Sequence, residues 1–145
     1  MKKKVLSVLL AAVMVTALLV GCNSGETKKE SGGEAKKGED LTFVVVPKCV
    51  HAWFDEVNKG AQLQADALSD QLGVEVKIDY RAPSKSDVAE QNSVMEQAAA
   101  TKPDGIAVDP VDYEGSKAVI EEIQSQGIPV VLFDAPSPEG SGLTS

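Results

Sequence analysis

The sequence predicts an α/β domain over residues 41–145, a Rossmann-like open parallel sheet with helices on both faces. Three observations predict it. Short β-branched runs alternate with longer segments whose apolar residues recur every three or four positions. The intervening segments have crossover length, which parallel strands need and antiparallel hairpins do not. Glycines follow the helical runs and prolines close extended ones, so each change of period has a local cause.

Ahead of this domain, Lys2-Lys3-Lys4 precedes an apolar stretch from Val5 to Val20. A basic start followed by an apolar run reads as a secretory leader. Crossing about 30 Å of hydrocarbon takes roughly 20 apolar residues, and this stretch ends sooner, at Gly21-Cys22. Residues 1–21 are expected to be cleaved. Leu19-Val20-Gly21-Cys22 looks like a lipobox, which would place diacylglycerol on the Cys22 thiol. The plainer alternative is a secretory signal with an incidental cysteine. With lipid attached, two acyl chains suffice for stable anchoring, so residues 22–40 read as an anchor and its tether. From Asn23 to Asp40 only Ala35 is apolar, too little to offset the entropy of ordering the segment, and such a tether spans about 20 to 25 Å.

Leu41-Thr42-Phe43-Val44-Val45-Val46, closed by Pro47, suits a first strand buried on both faces. Phe54, Val57, Ala61, Ala65, Leu68 and Leu72 then form one helical stripe, with Gly73 as its stop. Val74 to Asp79 alternates as a second strand. Pro83 breaks it, and Ser84 with Asp87 resembles a capping box for a helix to about Ala100. Val88, Asn92, Met95 and Ala99 mark that helix's expected inner face. Gly105-Ile106-Ala107-Val108 is the third strand, Ser116 to Gln126 the third helix with Ile120 and Ile123 inward, and Pro129 to Phe133 the fourth strand.

Composition narrows the function. Of 14 lysines and arginines, three leave with the leader, whereas none of the 22 acids does, so the mature chain carries 11 against 22, a net −11. Such a surface repels phosphate backbones, and no basic stripe exists to neutralise them, which excludes nucleic acid as a partner. Cys49 is the one cysteine left after Cys22, so no internal disulfide forms. It reads as a small buried hydrophobe at a strand end.

Open parallel sheets bind ligands beyond the carboxyl ends of their strands. Lys48, His51, Trp53, Phe54, Asp109, Asp112, Tyr113 and Asp134 fall there, at the first, third and fourth strands. Carboxylates beside aromatic rings suit a sugar, whose C–H face takes a ring and whose hydroxyls donate to charged acceptors, each such bond contributing about 1.5 to 3 kcal/mol. Duller roles stay open at this point. Trp53 could cap the sheet edge, Phe54 belongs equally to the helical stripe, His51 could cap the first helix, and Asp112 with Tyr113 could merely open the third.

Four patches in order, Trp53-Phe54 with Lys59-Gly60-Ala61, Asp104-Gly105-Ile106, Asp109-Pro110-Val111-Asp112 and Gly127-Ile128-Pro129-Val130-Val131, resemble the ribose- and galactose-type periplasmic binding proteins. The resemblance runs from Leu41 to about Pro136. It implies a type I periplasmic binding fold, with two lobes closing over a monosaccharide and docking on an ABC permease. It also implies a monomer held outside the cytoplasmic membrane, with no cofactor, metal or catalysis. Where the family reads Asn-Pro-Phe-Phe, this chain has His51-Ala52-Trp53-Phe54, so Trp53 and Phe54 take the stacking places and His51 that of the asparagine. Asp109 stands where the family often has asparagine before proline, and Asp134 matches an aspartate ending the fourth strand. Ala135 departs from the arginine frequent in ribose binders. Because the family is about twice this length, the chain reads as a truncated first lobe, expected to bind sugar weakly or not at all alone.

Two other functions compete. The same fold serves chemoreceptors and sensor kinases, and one lobe does not reveal which partner it addresses. An exported enzyme has little to stand on: the sequence holds no Gly-x-Ser-x-Gly elbow, phosphate loop or metal-spaced histidine pair.

Overall fold

The computed structural model describes residues 38–145. The leader, Cys22 and all but the last residues of the tether lie outside the described residues. Among those described, no helix is long and apolar enough to cross a membrane.

The element order is β1 (Leu41–Val46), α1 (Ala52–Leu72), β2 (Val76–Tyr80), α2 (Val88–Ala100), β3 (Gly105–Val108), α3 (Tyr113–Ser125) and β4 (Val130–Leu132). The four strands form one sheet in the order β2-β1-β3-β4, and every pairing is parallel. Phe43 and Val45 lie opposite Ile78 and Tyr80 on one side, and Val44 and Val46 opposite Ile106 and Val108 on the other. The chain steps from β1 to β2 in one direction across the sheet and from β2 through β3 to β4 in the other. Right-handed crossovers therefore put α1 on one face and α2 with α3 on the opposite face.

The main core lies on the α2–α3 side. Val44 and Val46 of β1, Ile106 and Val108 of β3, and Val130 and Leu132 of β4 pack there under Met95, Ala98, Ala99, Ile120 and Ile123. On the α1 side Phe54, Ala65, Val45 and Val76 are buried, while Val131 is half open to solvent. Beyond β4, the Leu132 N–H donates to the Thr144 carbonyl at 2.8 Å, a single parallel bridge between Val131 and Thr144.

The expected elements all form, with local differences that have physical causes. β2 begins at Val76 rather than Val74, because Gly73 adopts the left-handed conformation (φ 68°) and Val74 completes the turn out of α1. Leu72, the last member of the expected stripe, is exposed. A helix of 21 residues runs about 31 Å and outreaches a five-residue strand of about 17 Å. At α2 the capping box shifts. Asp87 is the N-cap, accepting from Glu90 N–H at 2.9 Å, while the Glu90 carboxylate reaches back to Ser84 N–H at 2.7 Å and is held below its usual pKa by the Ser84 hydroxyl first and by that backbone bond second. Asn92 was the expected inward polar residue. Gln91, 100° around the helix, is instead the buried one, and Asn92 donates to the Gly115 carbonyl at 3.0 Å. α3 starts at Tyr113, three residues before Ser116. β4 is shorter than expected, although Pro129 O and Phe133 N still bond to Ile106 N and Val108 O of β3.

Candidate ligand-binding site

The sheet's direction of travel reverses between β1 and β3, so their carboxyl ends splay around the switch-point crevice where open α/β sheets bind ligands. Pro47 follows β1 and Pro110 lies just beyond β3. The last rung is Asp109 N–H to Val46 O at 3.0 Å.

Just past that rung the Lys48 ammonium lies 2.8 Å from Asp109 Oδ1 and 4.0 Å from Asp134 Oδ2. One side chain thereby links the tips of β1, β3 and β4. Asp109 is fully buried and Lys48 a third exposed. No hydrogen bond reaches Asp109 Oδ2 among the described residues. Burial raises the Asp109 carboxyl above the ordinary carboxylate pKa; the Lys48 charge pulls it back, and Asp134 adds a further upward push. Asp134, half exposed, has a left-handed backbone (φ 52°), a conformation aspartate tolerates better than most residues and one that turns the chain sharply off β4.

The loop after β1 then enters α1. His51 is the N-cap: its Nδ1 accepts from Trp53 N–H at 3.1 Å, which requires that nitrogen unprotonated and leaves Nε2 as the outward donor. Phe54, one turn in, is buried and meets His51 and Phe133 edge-on, at 6.3 and 6.4 Å between ring centroids. These contacts tie the start of α1 to the residue before Asp134. Trp53 projects the other way and is 59% exposed. Val50 N–H donates to Pro83 O at 2.9 Å, fastening the same loop to the tip of β2. There the Tyr80 hydroxyl is enclosed without a hydrogen-bond partner, and burial raises its pKa, aided by Asp55 and Cys49.

Of the residues singled out from sequence, Lys48, Asp109 and Asp134 thus meet directly, and His51, Phe54 and Trp53 stand beside them at the head of α1. His51 caps and Phe54 turns inward, whereas Trp53 stays exposed. Asp112 is the N-cap position of α3 but makes no side-chain cap bond. No cluster of three or more His, Cys, Asp or Glu suited to a metal occurs among the described residues.

Sequence reasoning passed over Gln91. Its amide is buried and fully used, donating from Nε2 to Pro47 O at 3.0 Å and to Asp109 O at 2.7 Å, and accepting at Oε1 from Val111 N–H at 2.9 Å. No signal in the sequence marks it, because a glutamine in an amphipathic helix reads as part of the solvated face.

The family model for a periplasmic binding protein domain matches residues 42–145. An ABC transporter solute-binding protein from Burkholderia graminis, solved in complex with D-arabinose, is 28% identical with a TM-score of 0.62, the match covering 75% of this chain and 35% of that one. A sugar-binding protein of a sugar ABC transporter from Bacillus halodurans is 30% identical (TM-score 0.59), covering 68% and 32%. A glucose-galactose binding protein from Geobacillus stearothermophilus is 31% identical (TM-score 0.57), covering 72% and 35%. The chain thus spans about a third of the length of these structures. No curated protein matches it.

Proposed function

This chain belongs to the periplasmic binding protein domain family, and from that premise we propose that it captures a sugar or related polyol outside the cytoplasmic membrane for delivery to an ABC importer. The observation that carries the reading is the Lys48–Asp109–Asp134 cluster at the switch point, with one buried carboxylate oxygen unpartnered. Sugar hydroxyls donate to the half-exposed Asp134, and to Asp109 Oδ2 once the side chains enclosing it move aside, while Lys48 donates to a ring or hydroxyl oxygen. Trp53 covers the apolar face of the ring, with the outward Nε2–H of His51 beside it and Phe54 backing the head of α1. The named ligands and assignments of the similar structures, D-arabinose, glucose-galactose and sugar transport, fit the same chemistry.

The protein works as a monomer, tied to the membrane through lipid on Cys22. Replacement of Cys22 by serine is expected to release it from the membrane fraction; retention there would remove the anchor from the reading.

Sugar capture is tested by thermal-shift titration of a two-lobed protein that carries this chain as its first lobe, with pentoses, hexoses and polyols. A ligand that binds the native state at ten times its Kd stabilises it by about 1.4 kcal/mol, so even millimolar binding lifts the melting point measurably. No response to any of them would overturn the assignment.

A further inference from the structure

We infer that Gln91 is a positioning residue that sets the width of the switch-point crevice, and so the spacing at which Lys48 meets Asp109. The inference deepens the solute-capture reading and draws its functional meaning from it.

Backbone pairing between β1 and β3 ends at Asp109 N–H to Val46 O. Beyond that rung no backbone–backbone hydrogen bond joins residues 47–51 to residues 109–112 among the described residues. In this register the next rung would run from Lys48 N–H to Asp109 O and from Val111 N–H to Lys48 O, and neither bond is made among the described residues. Gln91 supplies the missing rung from a third element. Its Nε2 holds the carbonyl of Pro47, adjacent to Lys48, and the carbonyl of Asp109 itself, while Oε1 holds Val111 N–H on the far side of Pro110. Asp109 is therefore gripped through both its N–H and its C=O, which fixes the direction in which its side chain leaves the backbone.

The support is rigid. Gln91 lies one helical turn before Met95 on the inner face of α2, and Met95 and Ala98 are fully buried in the main core. A binding constellation keeps its geometry when the elements behind it are locked by packing, and a side chain with all of its buried hydrogen-bonding groups satisfied has no alternative rotamer of similar energy. Truncation of this amide would open three backbone groups at once and release the two loops that carry Lys48 and Asp109.

The test reads the Lys48–Asp109 pairing directly, by NMR on the chain without any sugar. With Asp109 Oδ1 2.8 Å away, the Lys48 Cε resonance should step as the Asp109 carboxyl titrates, and Asp109 is followed through its own side-chain carbon. In Gln91→Met, which keeps the volume and loses the amide, the expected result is loss of most of that step. In Ile120→Val, which loosens the same core without touching the crevice, the step is expected to stay. An undiminished step in Gln91→Met, an equal loss in Ile120→Val, or no step in the wild type would each overturn the inference. Should Gln91→Met fail to fold, Gln91→Glu keeps the acceptor for Val111 and removes the amide donors, with the same expectation. Failure of both to fold makes the role purely structural and overturns the inference as well. Because no arm uses a sugar, a chain that captures no sugar leaves this result readable.

Discussion

The Lys48 ammonium stands 2.8 Å from Oδ1 of Asp109, a partly exposed cation set against a carboxylate with no accessible surface. Taking that carboxylate out of water is costly, and Lys48 is the compensation within the chain. The second oxygen has none. A ligand hydroxyl can bond that oxygen only after the side chains enclosing it move, but the oxygen itself has no water to shed.

Replacing Lys48 by methionine is expected to destabilise the domain by about 3 kcal/mol, because it leaves a buried carboxylate unpaired. The double variant Lys48→Met/Asp109→Asn should recover much of that loss. Urea unfolding of the four chains gives the comparison, and additive losses in the double variant would show that the pair does not interact.

The Asp109 carboxyl is held above its unfolded-state pKa by burial, so the native state binds its proton more tightly than the unfolded chain does. Its effect on stability is a penalty, absent below the unfolded-state value and complete once pH exceeds the raised native one. Asp109→Asn carries no such titration. The stability of the wild type relative to Asp109→Asn should therefore be greater near about pH 4 than near about pH 7. Urea titrations of both chains at the two pH values check the sign, and a wild type that gains stability relative to Asp109→Asn toward neutrality would contradict it.

Trp53 is the only tryptophan and is 59% exposed, so intrinsic fluorescence reports its ring alone. Trp53→Ala is expected to change stability by less than about 0.5 kcal/mol, since it removes little buried surface. The same change should weaken the affinity for any sugar found by thermal shift by about tenfold, the loss of an aromatic face. Sugar binding that leaves both the emission spectrum of the wild type and the affinity of Trp53→Ala unchanged would place the ligand elsewhere.

Two glycines on α1 should respond in opposite directions. Gly60 is mid-helix with open space where a Cβ would sit, so Gly60→Ala is expected to stabilise by about 0.4 to 1 kcal/mol. Gly73 also has room, yet its φ of 68° is left-handed, so Gly73→Ala should cost about 1 to 2 kcal/mol by backbone strain alone. Melting temperatures of the two variants decide it; a shift of the same sign would mean that the end of α1 frays.

The order of elements was legible because each run's period has one physical reading: Val44 and Val46 alternate with Val45, whereas Phe54, Ala61, Ala65 and Leu68 return every turn. Boundaries were less so, as at Val74, where a β-branched residue that suits a strand is used to leave a glycine turn. Around the crevice, charged residues next to strand ends could be placed on the rim from topology alone, and Lys48, Asp109 and Asp134 are found together there. Side-chain direction could not be read in the same way. Whether Phe54 points inward or His51 caps depends on a 100° step around α1, which only the packed structure fixes. Gln91 was hidden for a deeper reason. A glutamine on a helix ordinarily marks the solvated face, and its burial here answers open backbone groups 44 positions earlier and 18 and 20 later.

The bridge from Leu132 to Thr144 bears on how the molecule meets others of its kind. β4 is an outer strand with Val131 open on one side, the sort of border that invites a neighbouring chain to extend the sheet. Occupying the Leu132 amide from within the same chain removes one of the few main-chain donors such a neighbour would need, and with a strand only three residues long little template remains. Within the described residues, that amide is therefore already committed to a segment of the same chain, before any surface charge comes into play.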